Sequence, residues 1–373
     1  MKILFVLSSI PVGGMEIFTV NLAKKLQEFK NDVRILTFKP AGEEINLIVA
    51  AENKIEIFSA GRLSKADFSF LAKAQKYMKD FNPDIIVSLS GLTYFFIGLL
   101  QKISRRSIPH IIAFHSLKPY DFKEKIFGWM FLFFSKLWKS YYLFVSDKQF
   151  ALNAKYYNLS KKKSFVIHNA VDTDFFFRSV PPEGKKYLNI IHVANIVAEK
   201  DQWTMLRALE ILNRNFSDWK LVFVGKDKIN LLAEFKNYLK KANLSDKINF
   251  TQCTERTELK KLLSDSDIFI LTSVAEALPI SAIEAMSMGL PCILTEVGGC
   301  PEIITDGYNG YLVKPKDPRA VADKISLLSE NRSLLKEMGS NARKTALEKF
   351  NLNVCAAKYM ETFSAVTKIP IKI

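Results

Sequence analysis

The chain has 373 residues, which is enough for two domains with separate hydrophobic cores. Hydrophobic residues make up 49% of it and charged residues 24%, a globular composition that excludes disordered and fibrous classes. The net charge of +15 predicts attraction to a polyanion, which could be nucleic acid, an anionic membrane face or a phosphorylated substrate.

Cysteine usage predicts a reducing compartment. The 4 cysteines contain no CxxC pair, so neither a disulfide framework nor a zinc site is indicated, and the pattern fits the cytoplasm. The apolar run at the start of the chain is too short for a signal peptide and predicts a buried strand instead. No stretch reaches the roughly 18 apolar residues of a membrane span.

The first half of the chain alternates short apolar runs with segments of helical period, which predicts parallel strands covered by helices on both faces. The predicted strands are Ile3–Leu7, Val33–Phe38, Ile85–Leu89, Ile111–Phe114, Tyr142–Val145 and Phe165–Ile167. The predicted helices are Glu16–Phe29, Ala66–Phe81 and Lys123–Lys139.

The alternation pauses at residues 169–186, where Asp, Pro and Gly cluster as in a linker, and then restarts. The later predicted strands are Ile190–Val193, Leu221–Val224, Ile248–Phe250, Ile268–Leu271 and Cys292–Leu294. This repeated α/β pattern predicts two Rossmann-like domains facing a central cleft, residues 1–180 and 181–350. Residues 351–373 predict a C-terminal helix that could pack back on the N-terminal domain.

A glycine pair separates the first predicted strand from the first helix. Gly13 and Gly14 let a ligand approach the backbone, and the amides of a helix start favour phosphate; a tight turn explains the pair equally well. The dinucleotide fingerprint GxGxxG is absent and the second strand ends in Thr37-Phe38-Lys39, which weighs against a nicotinamide enzyme.

The segment from Ser273 to Pro291 holds two glutamates, with seven residues between them. Glu284 fits a capping box that begins at Ser281, so a helix-capping role explains it. Glu276 precedes the helix that Pro279 introduces. It follows a strand, where ligands bind in open parallel sheets.

The stretch from Glu276 to Glu284 resembles the E-x7-E motif of the retaining GT-B glycosyltransferases of family four. Gly13-Gly14-x-Glu16, Ile167–Asp172, Val297–Glu302 and Asp306–Gly310 resemble other motifs of that family, in the same order. The resemblance extends over nearly the whole chain.

The resemblance implies a nucleotide-diphosphate sugar (UDP- or GDP-) as co-substrate, with no cofactor and no metal. Glu284 would hold the ribose, Glu276 the transferred sugar and Lys200 the phosphate, while His115 would lie near the donor sugar. The donor-binding set is Gly13, Gly14, Asn195, Lys200, Glu276, Ala277, Leu278, Pro279, Ile280 and Glu284. The catalytic set is Glu276, Lys200 and His115.

One position departs from the family pattern. The family usually has Gly-Arg where this chain has Ala194-Asn195, and that arginine helps to neutralise the leaving diphosphate. Asn195 brings no charge, and a charge-assisted hydrogen bond is roughly twice as strong as a neutral one. The departure predicts slower transfer, or another cation in the same role.

Two features allow a structural interpretation beside a functional one. His168 is interpreted as a core residue, whereas the family position favours a functional His115. Asp265-Ser-Asp267 precedes a strand and is interpreted as surface, not as a metal-binding pair.

Two segments are relevant to membrane association. Residues 102–107 are basic, and Lys123–Lys139 joins aromatic residues to terminal lysines, which fits either a buried core helix or a helix at an anionic membrane face.

The sequence therefore predicts a metal-independent, retaining glycosyltransferase, a hexosyl- or N-acetylhexosaminyl-transferase. It would transfer sugar to a glycan or lipid-linked acceptor in cell-envelope polysaccharide assembly, in the cytoplasm or peripherally on the membrane. A nucleotide-sugar 2-epimerase and a non-catalytic scaffold of the same fold are the alternatives. Nucleic-acid binding is not predicted, because no recognised module is present.

Overall fold

The computed structural model describes residues 1–9, 13–39, 55–64, 67–115, 138, 140–178, 186–252 and 255–371. They divide into two compact units. The first unit comprises residues 1–169 and 352–373, and the second unit comprises residues 170–351.

The first unit alternates strands and helices. Its strands are Lys2–Leu7 (β1), Asp32–Thr37 (β2), Glu56–Ser59 (β3), Ile85–Ser88 (β4), His110–Phe114 (β5), Tyr141–Phe144 (β6) and Ser164–Val166 (β7). Its helices are Gly14–Glu28 (α1), Phe70–Phe81 (α2), Gly91–Ile103 (α3) and Asp147–Tyr157 (α4), followed at the far end of the chain by Leu352–Thr367.

The strands of the first unit form one parallel sheet in the order β3-β2-β1-β4-β5-β6-β7. The order reverses direction between β1 and β4, as in a doubly wound Rossmann-like sheet. β1 and β4 carry apolar side chains on both faces, and these side chains are buried, as is typical of the central strands of a parallel sheet. Helix Leu352–Thr367 packs on α1, so the C-terminal helix belongs to the first unit.

The second unit repeats the alternation. Its strands are Leu188–Val193 (β8), Trp219–Val224 (β9), Ile248–Thr251 (β10), Ile268–Leu271 (β11), Cys292–Thr295 (β12) and Gly310–Val313 (β13). Its helices are Gln202–Asn213 (α5), Leu232–Lys241 (α6), Arg256–Ser264 (α7), Ile280–Ser287 (α8), Cys300–Ile303 (α9), Pro318–Glu330 (α10) and Arg332–Lys349 (α11).

The second sheet is also parallel, in the order β10-β9-β8-β11-β12-β13, with its direction reversed between β8 and β11. Helices α5 and α10 pack together on it, and the core includes the fully buried Trp219. The two parallel sheets establish two Rossmann-like α/β folds in one chain.

The predicted strands are all present, with ends shifted by at most two residues. Two further strands, β3 and β13, were not predicted. β3 is partly exposed, with only two apolar residues between Glu56 and Ser59, and β13 has three apolar residues after Gly310, so both runs are short.

Two histidines are buried on strands, and they give the protein an acid sensitivity. Burial lowers the pKa of His110 and of His192 to about 3. Each is neutral in the folded state but takes up a proton below about pH 6.5 when unfolded. These two histidines therefore do not destabilise the folded state above pH 6.5, and they lower its free energy of unfolding as the pH falls from 6.5 toward 3.

We expect the free energy of unfolding to fall by about 1.4 kcal/mol per pH unit for each such histidine in that range. His192 packs on Phe223 at 4.4 Å between ring centroids, so His192→Leu keeps an apolar contact and removes the titration. Urea denaturation at pH 7, 6 and 5 should show a shallower pH dependence for the variant. Equal slopes for both proteins would contradict this assignment.

Candidate functional site

The reversal point of the second sheet brings two distant loops together. The loop after β8 holds Lys200 in a single turn of 3-10 helix, and the loop after β11 holds Glu276. The backbone amide of Val274 donates to the Glu199 carbonyl at 2.8 Å, which ties the two loops together. A reversal point is where open parallel sheets bind ligands.

Lys200 and Glu276 form an ion pair within this point. Lys200 Nζ donates to Glu276 Oε1 at 2.5 Å, and Ser273 Oγ donates to the same oxygen at 2.6 Å. The Glu276 side chain is only 8% exposed, whereas Lys200 is 25% exposed. The ammonium has three hydrogens. Lys200 can therefore keep Glu276 in place and still donate to a ligand from solvent.

Helix α8 begins directly after Glu276. Ala277 and Leu278 are buried, Pro279 has extended backbone, and Ile280 opens the helix. Pro279 makes no side-chain hydrogen bond to the helix, so no side-chain cap at Pro279 covers the amides of its first turn. Such amides favour an anion. The Gly299 amide donates to the Glu276 carbonyl at 3.3 Å, which brings the predicted Val297–Glu302 loop to the same place.

The capping role predicted for Glu284 is wrong. The helix starts at Ile280, one residue before Ser281, so Glu284 lies beyond the first turn of α8. Its carboxyl group is mostly surrounded by protein, and this desolvation raises its pKa to about 7, while the positive charge of Arg256 opposes the rise. Glu284 is thus a partly accessible acid that titrates near neutral pH.

Asn195 lies in the loop after β8, where its side chain supports the backbone. Its Oδ1 accepts from the Lys226 amide at 3.0 Å, and its carbonyl accepts from Gln202 Nε2 at 2.9 Å. The side-chain amide nitrogen is the group that can still donate to a ligand. This supporting role of the Asn195 side chain was not predicted from the sequence.

Gly225 allows the loop of Asn195 to lie against the end of β9. A Cβ atom at this position would be 2.0 Å from the Ala194 carbonyl oxygen. Because the clash is with backbone, the loop itself must move. We expect Gly225→Ala to lower the free energy of unfolding by about 2–4 kcal/mol, measured by thermal or urea denaturation. An unchanged midpoint would contradict the close packing described.

The first unit contains a cavity of about 410 Å³ at its own reversal point. Residues after β1, β4 and β5 line it, and its polar lining includes Glu16, Ser90, His115 and Asn153. Gly14, the first residue of α1, also lines it, and Gly13 precedes it in extended conformation. Gly14 and His115, which are 101 positions apart by their numbers, therefore border one cavity.

His115 is arranged to contact a ligand in its neutral form. Burial lowers its pKa to about 4, and its Nε2 atom has no hydrogen-bond partner among the described residues. A buried nitrogen without a partner costs free energy unless something fills the position. His168, by contrast, is not among the residues that line the cavity, and its carbonyl accepts from the Cys355 thiol.

The Asp265-Ser-Asp267 prediction is half right. Asp265 is exposed, as predicted, but Asp267 is buried and accepts from the Asn189 amide at 2.8 Å. This contact joins the start of β11 to the start of β8. It lies at the amino ends of these strands, whereas Lys200 and Glu276 follow their carboxyl ends.

Several residues of the two sites were not predicted as site residues. Ser273 bonds to Glu276, Asn153 lines the first cavity, and Arg256 acts on Glu284. Ser273 adjoins the motif and could have been considered, but Arg256 and Asn153 lie in helices whose proximity depends on tertiary structure.

Two family models match the chain. Glycosyl transferases group 1 matches residues 173–345, and Glycosyltransferase Family 4 matches residues 12–175. The chain belongs to the family-four glycosyltransferases and has the GT-B fold of two Rossmann-like domains.

Individual relatives agree with this assignment. An uncharacterized glycosyltransferase of Methanocaldococcus jannaschii is 27% identical over 92% of each chain. An N,N'-diacetylbacillosaminyl-diphospho-undecaprenol alpha-1,3-N-acetylgalactosaminyltransferase of Campylobacter jejuni is 34% identical over 30% of each chain. HepE of Anabaena, solved with UDP and glucose, aligns with a TM-score of 0.84 at 19% identity, over 98% of this chain and 100% of that one.

Proposed function

We propose that this glycosyltransferase transfers a sugar from a UDP- or GDP-sugar to a glycan or lipid-linked acceptor, with retention at the anomeric carbon and without a metal ion. The observation that carries the proposal is the Lys200–Glu276 pair at 2.5 Å beside the start of α8. The nucleotide complexes of HepE and the lipid-diphosphate acceptor in the name of the Campylobacter enzyme support the two substrate classes.

Transfer breaks the bond between the sugar C1 atom and the phosphate oxygen, whose electron pair stays on the diphosphate. The acceptor oxygen bonds to C1, and its proton passes to the leaving phosphate. Lys200 and the first amides of α8 stabilise the growing negative charge on the diphosphate, as donors do in an oxyanion hole. Because these donors are fixed before the reaction, they can do this without a metal.

Glu276, held by Lys200 and Ser273, is assigned to the hydroxyl groups of the transferred sugar. Glu284 is assigned to the ribose. In the first unit, Gly14 and the neutral His115 are assigned to ligand contacts in the cavity, where the buried Nε2 atom of His115 would gain a hydrogen-bond partner. Asn195 is assigned a single donated hydrogen bond to the donor.

We also place the enzyme in the cytoplasm, on an anionic membrane face. The predicted membrane segment Lys123–Lys139 lies outside the described residues except for Trp138, but α3 offers an independent argument. Leu92 and Ile103 are 43% and 61% exposed and lie on one face of α3, which has no acidic residue. The exposed Lys102 and Arg105 lie at its end. Apolar side chains beside cations fit a lipid interface.

Across the described residues, no helix is long and apolar enough to cross a bilayer. The proposed association through α3 is tested by flotation with vesicles that contain anionic lipid. We expect the wild type to float at low salt and Ile103→Glu to lose most of this binding. Leu152→Glu, on the exposed part of α4, is the matched control and should float normally. No flotation of the wild type would contradict the membrane assignment.

A transfer assay tests the function. A panel of UDP- and GDP-sugars is incubated with lipid-diphosphate and oligosaccharide acceptors in the presence of EDTA. We expect one pair to give a product whose anomeric configuration, read by NMR, matches the donor. Conversion of the donor sugar without an acceptor would instead indicate an epimerase, and absence of donor binding would indicate a scaffold. Activity lost in EDTA and restored by a divalent cation would contradict metal independence.

A further inference from the structure

The proposed chemistry does not use Arg256, a cation whose positive charge acts on Glu284. Arg256 is the first residue of α7, and its guanidinium carbon lies 4.4 Å from the Phe175 ring centroid and 5.3 Å from that of Phe176. Both rings belong to the segment that opens the second unit. A guanidinium over an aromatic face is held by the ring quadrupole and is limited in its movement.

The Phe176 backbone joins this cation to α8. Its carbonyl accepts from Ser287 Oγ at 2.7 Å and from Arg343 at 3.0 Å. Ser287 lies three residues after Glu284, so the two side chains lie on the same face of the helix. Phe176 is thus fixed against the face that carries Glu284, and Arg256 rests on Phe176.

We propose that Arg256 is a positioning residue, which favours the ionised form of Glu284 and orients it toward the ribose of the bound nucleotide. This inference rests on the proposed function, because it concerns the same donor site. An ionised carboxylate accepts hydrogen bonds from both ribose hydroxyls, whereas a protonated one is a poorer acceptor.

The charges around the pair favour this role. Arg256 is the charged group that acts on Glu284, and Asp172 acts on Arg256 from the opening segment. Arg343, on α11, is directed at the carbonyls of Thr173, Phe176 and Ser287. Since the pKa of Glu284 is about 7 with Arg256 present, loss of the guanidinium would raise it and leave the carboxyl protonated at neutral pH.

The test is UDP and GDP binding by calorimetry between pH 6 and 9, for the wild type, Arg256→Met and Arg256→Lys. The wild type should lose affinity as the pH falls through about 7. In Arg256→Met, a rise of about one pKa unit would lower the ionised fraction of Glu284 at pH 7 from about one half to about one tenth. We therefore expect roughly 5-fold weaker binding at pH 7, with recovery toward pH 9. Arg256→Lys should recover part of the shift.

Lys260→Met is the matched control. Lys260 lies one helical turn further along α7, with its Nζ atom 5.1 Å from the same Phe175 ring. This variant loses the same charge and should keep the wild-type pH profile. Glu284→Gln should bind weakly at every pH, whether or not Arg256 is present.

Titration of 13C-labelled glutamate carboxyl groups by NMR gives a second measurement, which needs no ligand. The Glu284 signal, assigned by its loss in Glu284→Gln, should titrate at higher pH in Arg256→Met. A normal pH profile and an unmoved Glu284 titration in Arg256→Met would overturn the inference while leaving the proposed function intact. Failure of the wild type to bind any nucleotide would overturn the proposed function itself.

Discussion

Replacing Lys200 by methionine is expected to lower kcat by roughly 10²–10³-fold, the effect of removing one preorganised donor to a developing anion. The loss corresponds to about 3–4 kcal/mol of transition-state stabilisation. The family arginine is replaced by Asn195 in this chain, so the lysine is expected to take a larger share of the diphosphate charge. Steady-state kinetics with a fixed donor and acceptor measure the effect.

The same substitution is expected to lower stability, because Glu276 is 8% exposed and would lose its cationic partner. Removing one member of a buried pair leaves an uncompensated charge. We expect a loss of about 1–3 kcal/mol, less than for a fully buried pair because Lys200 is partly exposed and Ser273 still donates.

The double variant Lys200→Met with Glu276→Gln separates the two effects. It contains no unpaired charge, so its Tm should return toward that of the wild type. Its kcat should stay at least as low as that of Lys200→Met. If kcat recovered together with Tm, Lys200 would have a structural role and the assignment to the diphosphate would be wrong.

His115→Ala is expected to lower kcat by roughly 10–10²-fold, the lower part of the range for a side chain that hydrogen-bonds at the reacting group. The expected change in Tm is small, because its Nε2 atom makes no hydrogen bond within the described residues. Kinetics and thermal denaturation of the same preparation measure both quantities.

His110 provides the matched control, since it is also buried and neutral in the first unit. Its Nε2 atom bonds to Ser88 Oγ at 2.8 Å, and its ring packs on Tyr94. His110→Ala should therefore cost about 2–4 kcal/mol of stability with kcat per folded molecule unchanged. The opposite pattern, with Tm lost in His115→Ala and kcat kept, would make His115 a packing residue.

Much of the architecture could be predicted from local pattern. Buried parallel strands are apolar along their whole length, so apolar runs such as Ile3–Leu7 and Ile268–Leu271 are recognised as strands from the sequence. The E-x7-E segment and Lys200 lie in loops directly after such strands, where the topology brings distant residues together. Their 2.5 Å contact agrees with that expectation.

Other features depend on tertiary contacts that periodicity does not encode. β3 is a partly exposed edge strand, and its apolar run is short. The capping interpretation of Glu284 was wrong because the helix begins two residues earlier than the Ser-x-x-Glu pattern implies. Arg256 packs on Phe176, whose carbonyl accepts from Ser287 on the helix that carries Glu284, and no sequence spacing could indicate this arrangement.

The most direct test of the central claim is a calorimetric comparison of nucleoside diphosphate with nucleoside monophosphate, using UDP with UMP and GDP with GMP. If Lys200 and the start of α8 stabilise a diphosphate, the wild type should bind one diphosphate at least 10-fold more tightly than its monophosphate, because a charge-assisted contact to the second phosphate adds about 1.5–3 kcal/mol. In Lys200→Met this preference should largely disappear. Equal affinities in the wild type, or a preference that Lys200→Met retains in full, would contradict the account.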